Sequence, residues 1–233
     1  MIYVDESNSI RMKSRIHLAL ALLKQGVDPA QISVKLALSK ALHGCQSVLD
    51  VGCGVAPTLR QLGVPHCVGI EGYLPAVEEA KRRKTQDEII HGNAGDLTRY
   101  FQPKQFDACI AMDVIEHLPK ENGLKLMQDM ELIAKRKVVF FTPNGFLPQS
   151  HSANDDLEEH LSGWEAKEMA RLGYHVFGML GPKSLRGEYH RLKRRPLAFW
   201  GAVSLISQVL WVHHCPEKAA AIFCVKNVAD SRR

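Results

Sequence analysis

Ser47 to Gly63 reads SVLDVGCGVAPTLRQLG, and Asp50, Gly52 and Gly54 in it are placed to do chemistry. Two glycines one residue apart, after a short apolar run, make a tight turn whose backbone a ligand can approach. The dinucleotide fingerprint has a third glycine where this chain has Pro57, and no G-x-x-x-x-G-K-[ST] run is present to cradle a triphosphate. Glu71 follows Asp50 by 21 residues, the spacing of a carboxylate that accepts both hydroxyl protons of a ribose. An acid inside the turn opposes a pyrophosphate but suits a ligand with an amino group or positive charge. The turn's N–H groups at a helix start can still take a carboxylate. A nucleoside bearing an amino acid meets this description, and an NAD-dependent oxidoreductase meets it poorly.

The elements that must position these residues are legible as alternating short apolar runs and helical patterns. Strands are expected at 47–51, 66–71, 88–92, 106–113 and 137–143, the last stopped by Pro143. Helices are expected at 56–63, at 74–84 with Pro75 in the first turn, and at 120–136. A helix at 163–172 and two late strands, 174–180 and 220–226, close the chain, the late strands as an antiparallel extension. Before all of this, residues 9–43 read as helical, a second helix starting at Asp28-Pro29. The fold class is therefore α/β: a Rossmann-like, doubly wound sheet, mostly parallel and seven-stranded with an antiparallel last strand and helices on both faces. Its ligand crevice lies at the carboxyl ends of the strands, near the switch point.

At 233 residues and 26.0 kDa the chain is long enough for one large domain. We divide it into an N-terminal helical segment, 1–44, and a domain, 45–233, with a basic and apolar insertion at 181–215. The net charge of +5 is mild but clustered in Lys81–Lys84 and in Arg191, Lys193, Arg194 and Arg195. The six cysteines form no CxxC pair, and Cys53 and Cys109 read as reduced packing residues. The first residues do not resemble a secretory signal, and the uncharged stretch 197–212 is short for a membrane span, so a cytoplasmic location is expected.

VLDVGCG, GIE, HGNAGDL, FDACIAMDVIEHLPK and KVVFFTPNG, in that order over residues 46–145, resemble the successive motifs of class I S-adenosylmethionine-dependent methyltransferases. Looser likeness to small-molecule enzymes of this class continues through EHLSGWEAKEMARLGYHVFG. The resemblance implies S-adenosyl-L-methionine as cofactor. It places Asp50, Gly52 and Gly54 at the methionine end, Glu71 on the ribose with Gly72 beside it, and Asn93 and Ala94 at the adenine. It places Asp113 near the reacting methyl group, and lets Tyr73 cover the adenine face.

A base is needed only if the acceptor must lose a proton. Glu116 and His117 follow the fourth strand on the cofactor side. His117 is the first choice, its ordinary pKa of about 6.5 suiting base work, although it would serve equally as a structural residue opening the next helix. His151 and His160, flanking the polar loop after the fifth strand, are weaker candidates. His213, His214 and Cys215 have no second ligand cluster at metal-like spacing, so no metal is expected. No N/D-P-P-[YF] signature follows the fourth strand, which favours an oxygen or carbon acceptor over an amino group.

The expected activity is thus methyl transfer to a small molecule, anionic or lipid-like as one sharper form. An RNA methyltransferase is the alternative within enzymes, and a non-catalytic S-adenosylmethionine-binding protein the alternative outside them. No nucleic-acid partner is expected, since no broad basic face or appended RNA module is evident. Basic residues joined to an apolar, tryptophan-bearing run at 191–212 allow peripheral membrane contact, and packing of that run on a second subunit would give a homodimer.

Overall fold

The computed structural model describes residues 29–148, 159–187 and 191–228. The helix expected before residue 29 and the candidate His151 lie outside these residues.

The strands are β1 (Ser47–Val51), β2 (His66–Glu71), β3 (Glu88–His91), β4 (Phe106–Met112), β5 (Ala134–Pro143), β6 (His175–Pro182) and β7 (Ala219–Asn227). They form one seven-stranded sheet in the order β3-β2-β1-β4-β5-β7-β6. The first five pair in parallel, and β7 runs antiparallel between β5 and β6. The expected fold class is therefore the observed one. Alternate residues of β1 enter opposite cores: Leu49 and Val51 face one, Val48 the other. All three are fully buried, as parallel strands covered on both faces must be.

The helices are α1 (Pro29–Ala41), α2 (Thr58–Gln61), α3 (Leu74–Arg83), α4 (Leu97–Tyr100), α5 (Lys120–Ile133), α6 (Ala166–Arg171) and α7 (Leu197–Leu210). Two boundaries differ from expectation for local reasons. The helix expected at 56–63 is a single turn, bounded by Pro57 and by Gly63 at φ +72°. The helix expected to reach residue 136 stops at Ile133, because Ala134 already pairs with Phe106 at the start of β5.

The domain boundary also moves. Leu38, Ala41 and Leu42 pack in one core with Val48, Ala108, Ile110, Val139, Phe141 and Phe223. Helix α1 therefore belongs to the sheet domain, whose second face it helps to cover. On the first face, Leu126, Met130 and Ile133 of α5 do the same over Leu49, Cys109 and Phe140.

Helix α7, inside the 181–215 insertion, packs on β6 through its polar side. Ser204 Oγ donates to Leu180 O at 2.9 Å, and Leu180 N donates to Gln208 Oε1 at 2.8 Å. Ser204 and Gln208 are buried, whereas Phe199, Ile206, Val209 and Leu210 are 58 to 76% exposed. The usual amphipathic arrangement is inverted. No helix among the described residues is long and apolar enough to cross a membrane.

The shared core makes a testable statement about α1. Leu38→Ala is expected to destabilise the whole domain by about 2–5 kcal/mol, the range for a fully buried leucine. Denaturant unfolding of the sheet measures it, and an unchanged midpoint would restore α1 to the status of an appendage.

Candidate active site

The strand order reverses between β1 and β4, so the chain leaves these neighbours in opposite directions and a crevice opens above their carboxyl ends. The turn after β1 forms one wall. Gly52 N and Cys53 N both donate to Ile70 O of β2, at 2.8 and 3.3 Å. Gly52 has φ +65°, and a Cβ there would lie 2.5 Å from Val114 Cγ2, so both conformation and space require glycine. Gly54 has φ +52° with open space around its Cα, so its backbone can be approached.

Glu71 closes this wall. Its Oε2 accepts from Gly54 N and its Oε1 from Tyr73 N, both at 2.9 Å, so one carboxylate ties the turn after β1 to the turn after β2. Each carboxylate oxygen has a second acceptor direction, and the half-buried side chain stands at the crevice rim. Gly72 is exposed beside it, its carbonyl 3.1 Å from His91 Nε2.

Asp50 lies behind the turn, 6% exposed, where Gln86 Nε2 donates to its Oδ2 at 2.8 Å. The sequence suggested an acid facing a ligand; in the structure its side chain is buried and hydrogen-bonded to Gln86. Burial pushes its pKa up to about 7, against the opposing hydrogen bond from Gln86, and the Glu71 charge adds to the rise. Gln86 Oε1, a buried acceptor, has no donor, and a protonated Asp50 carries one. The amides of residues 52–54, expected to take a carboxylate, are directed at Ile70 and Glu71.

Asn93 is exposed and caps the short 3₁₀ turn Ala94–Asp96, its Oδ1 accepting from Gly95 N at 2.8 Å. Ala94 is half-buried against the first core. Asn93 thus performs the turn role open to it from its residue type, at the carboxyl end of β3.

The opposite wall follows β4. Asp113 is exposed, sits at φ +53° and donates its N–H to Phe141 O at 2.8 Å. A left-handed conformation is uncommon for a residue other than glycine. Ile115–His117 then form a 3₁₀ turn. Glu116 is 2% exposed, its Oε2 accepting from Thr142 Oγ1 at 2.9 Å. Burial raises its pKa well above the carboxylate range, and the Asp113 carboxylate alongside, which also hydrogen-bonds it, raises it further.

Residues 159–164 pack onto this turn. Leu161 N and Ser162 N donate to Glu116 O at 2.8 and 3.0 Å, and Ser162 Oγ and Trp164 Nε1 donate to Ile115 O. Trp164 is fully buried, with Lys120 Nζ 3.5 Å from its ring centroid. His160 is thereby brought against His117, ring centroids 4.8 Å apart at 72°. The site therefore gathers His117, the first-choice base, with the weaker candidate His160 and with Glu116. Sequence reading missed Thr142, Ser162, Trp164 and Asn144. Asn144 Nδ2 donates to the carbonyls of Pro216, Glu217 and Ala219, fastening β5 to β7. The only sequence signal for these was their place in TPNG and LSGW, next to recognised motifs.

This fold, with a glycine turn locked to an acid at the next strand end, defines a nucleoside-cofactor domain of the class I methyltransferase type. Residues 49–142 match the protein-family model of the methyltransferase domain. The 18S rRNA (guanine-N(7))-methyltransferase of Bos taurus is 33% identical over 97 residues, 41% of this chain; the match spans about a third (32%) of that relative. Among solved structures, a SAM-dependent methyltransferase from Archaeoglobus fulgidus is similar at TM-score 0.54 and 15% identity, covering 89% of this chain and 98% of that one. Phosphoethanolamine N-methyltransferase 2 of Haemonchus contortus, solved with S-adenosyl-L-methionine, is similar at TM-score 0.55 and 17% identity, over 85% and 53% of the two chains. The matched stretch and the shared fold together support a class I S-adenosylmethionine-dependent methyltransferase.

Buried Asp50 gives a pH-dependent prediction. Between the ordinary carboxylate range and about pH 7 the unfolded chain has lost this proton while the folded chain keeps it. Stability at this position therefore falls as pH rises through that window. Asp50→Asn is expected to raise the thermal midpoint at pH 8, with the gain shrinking to nothing below about pH 4. A gain that grows on acidification would contradict the assignment.

Proposed function

We propose that the protein is a methyltransferase acting on a small molecule, at oxygen or carbon, with S-adenosyl-L-methionine as methyl donor. The observation that carries this reading is the Glu71 carboxylate pinned between Gly54 N and Tyr73 N at the crevice rim. The remaining acceptor directions of Glu71 suit the two hydroxyls of a ribose, and the open backbone at Gly54 suits close approach of the amino-acid end. Gly72 and Tyr73 border the ribose position, Asn93 and Ala94 the adenine position, and Asp113 the far side of the crevice.

Bound there, S-adenosylmethionine supplies a methyl group already activated by a sulfonium. The chain's part is to align acceptor oxygen or carbon, methyl carbon and sulfur, and such positioning supplies up to about 7–11 kcal/mol of a barrier. Asp113, held in place by its backbone bond to β5, and the Glu116–His117–His160 group beside it face the acceptor in this reading. Proton loss from a hydroxyl acceptor is assigned to that group.

The acceptor class is read from α7. Its exposed apolar residues follow the exposed Arg191, Lys193, Arg194 and Arg195. A cationic stretch next to an outward apolar face suits an anionic lipid surface, and supports an anionic, amphiphilic acceptor met there. The rRNA-methyltransferase relative, similar over 41% of this chain, supports the methyl donor and leaves the choice of acceptor open.

Two outcomes test this. Glu71→Ala is expected to weaken S-adenosylmethionine binding by about 1.5–3 kcal/mol, as for lost charge-assisted hydrogen bonds; unchanged affinity by calorimetry would sink the ribose assignment. Vesicles containing phosphatidylglycerol should sediment the protein, and Ile206→Glu with Val209→Glu should abolish it. A stable dimer that ignores vesicles would assign the face to a second copy instead.

A further inference from the structure

Three potential metal ligands distant in sequence meet beside the crevice. Glu116, His117 and His160 each offer a ligand atom within 4.8 Å of the others. Among the described residues, this is the group of histidine, cysteine and carboxylate side chains close enough to share an ion. His213, His214 and Cys215 do not form such a group, and His213 instead stacks on Phe177, ring centroids 5.0 Å apart.

The hydrogen bonds of the two histidines fix their chemistry. His117 Nδ1 lies 3.1 Å from Glu159 O, and His160 Nδ1 lies 2.6 Å from Leu147 O. A carbonyl oxygen only accepts, so each Nδ1 carries the proton. In the neutral ring each Nε2 then carries a lone pair. Histidines that ligate metals are typically held in this way, the second nitrogen donating to a carbonyl or carboxylate. Glu116 is held similarly by Thr142, and the bonds from Leu161 and Ser162 to Glu116 O fix the segment bearing His160.

Glu116 is buried against Asp113, and among the described residues no lysine or arginine forms an ion pair with Glu116. A carboxyl group shielded from water in this way can serve as a metal ligand once its proton is displaced. A divalent ion between Glu116 and the imidazoles takes the place of any proton held on Glu116, since metal ligation displaces ligand protons.

We infer that Glu116, His117 and His160 bind one divalent transition-metal ion, with Asp113 at its edge. Two imidazoles and a carboxylate favour zinc, cobalt, iron or manganese over magnesium and calcium, which prefer all-oxygen sets. Ligands about 2.1 Å from a tetrahedral zinc stand about 3.4 Å apart, so side-chain rotation closes the observed spread. Three protein ligands leave a position for water or an acceptor oxygen. His117 is then a ligand, and the expectation from sequence that the protein uses no metal is revised. Contact between the ion and an acceptor rests on the methyltransferase reading; binding of the ion does not.

The test uses the full chain, stripped with a chelator and titrated separately with zinc, cobalt, manganese and magnesium chlorides. One ion per chain is expected, with zinc and cobalt bound at least about 100-fold tighter than magnesium, and cobalt giving visible d–d bands. Glu116→Gln and His160→Ala, and half-buried His117→Ala should either misfold, should each lower zinc affinity at least about 10-fold. His213→Ala with His214→Ala should leave it unchanged. Absence of saturable binding, or binding that survives all three ligand substitutions, would overturn the site. S-adenosylmethionine titration of the same samples separates the two ideas: cofactor binding without metal binding rejects the ion alone, and the reverse rejects the cofactor reading alone.

Discussion

A single carboxylate, Glu71, holds one wall of the crevice together. It accepts from the amide of Gly54 on one side and of Tyr73 on the other, so two turns from neighbouring strands are fixed in one position. Gly52 is fixed with them, since its amide is bonded to Ile70 O and its Cα hydrogens face Val114. Below them, Asp50 and Gln86 fill the space beneath the turn, where Cys53 Sγ lies 2.5 Å from the Cβ position of Gly69. The rim is thus shaped before any ligand arrives, which lowers the ordering cost of binding.

The other wall is organised by a different device. The 3₁₀ turn after β4 has no regular partner strand, yet its carbonyls at Ile115 and Glu116 receive four donors from residues 161–164. Gly163 permits this, because a Cβ there would stand 2.3 Å from Phe146 N, and Gly123 makes room for the Trp164 ring in the same way. This wall of the crevice is therefore assembled from two segments more than forty residues apart. Both walls meet only because β1 and β4 are neighbours at the point where the sheet changes direction.

Helix α7 obeys a third constraint. Gly181 lies against Ser204, whose Oγ would be 2.3 Å from an added Cβ, and Arg186 donates to both Leu180 O and Ser204 Oγ. Polar groups at the end of β6 are satisfied by the helix's own polar side chains, as buried polar groups must be. Its apolar residues are left facing outward. The same fourteen residues that read as an ordinary apolar helix in sequence are turned over by what β6 requires of them.

Sequence alone determined the alternation of strands and helices, the seven strands and the residues of the glycine turn. Apolar period and turn residues are local properties, and the motifs sit at strand ends. Asp50, Gly52, Gly54, Glu71 and Asp113 were legible for that reason. Tertiary structure alone decided which of them face the crevice: β-strand side chains alternate between faces, and the packing of Gln86 on Asp50 turned that acid inward. It also decided that α1 belongs to the core, that α7 is inverted, and that His160 joins Glu116 and His117. No spacing rule predicts that meeting, because it depends on hydrogen bonds between backbone segments that only a folded sheet brings together.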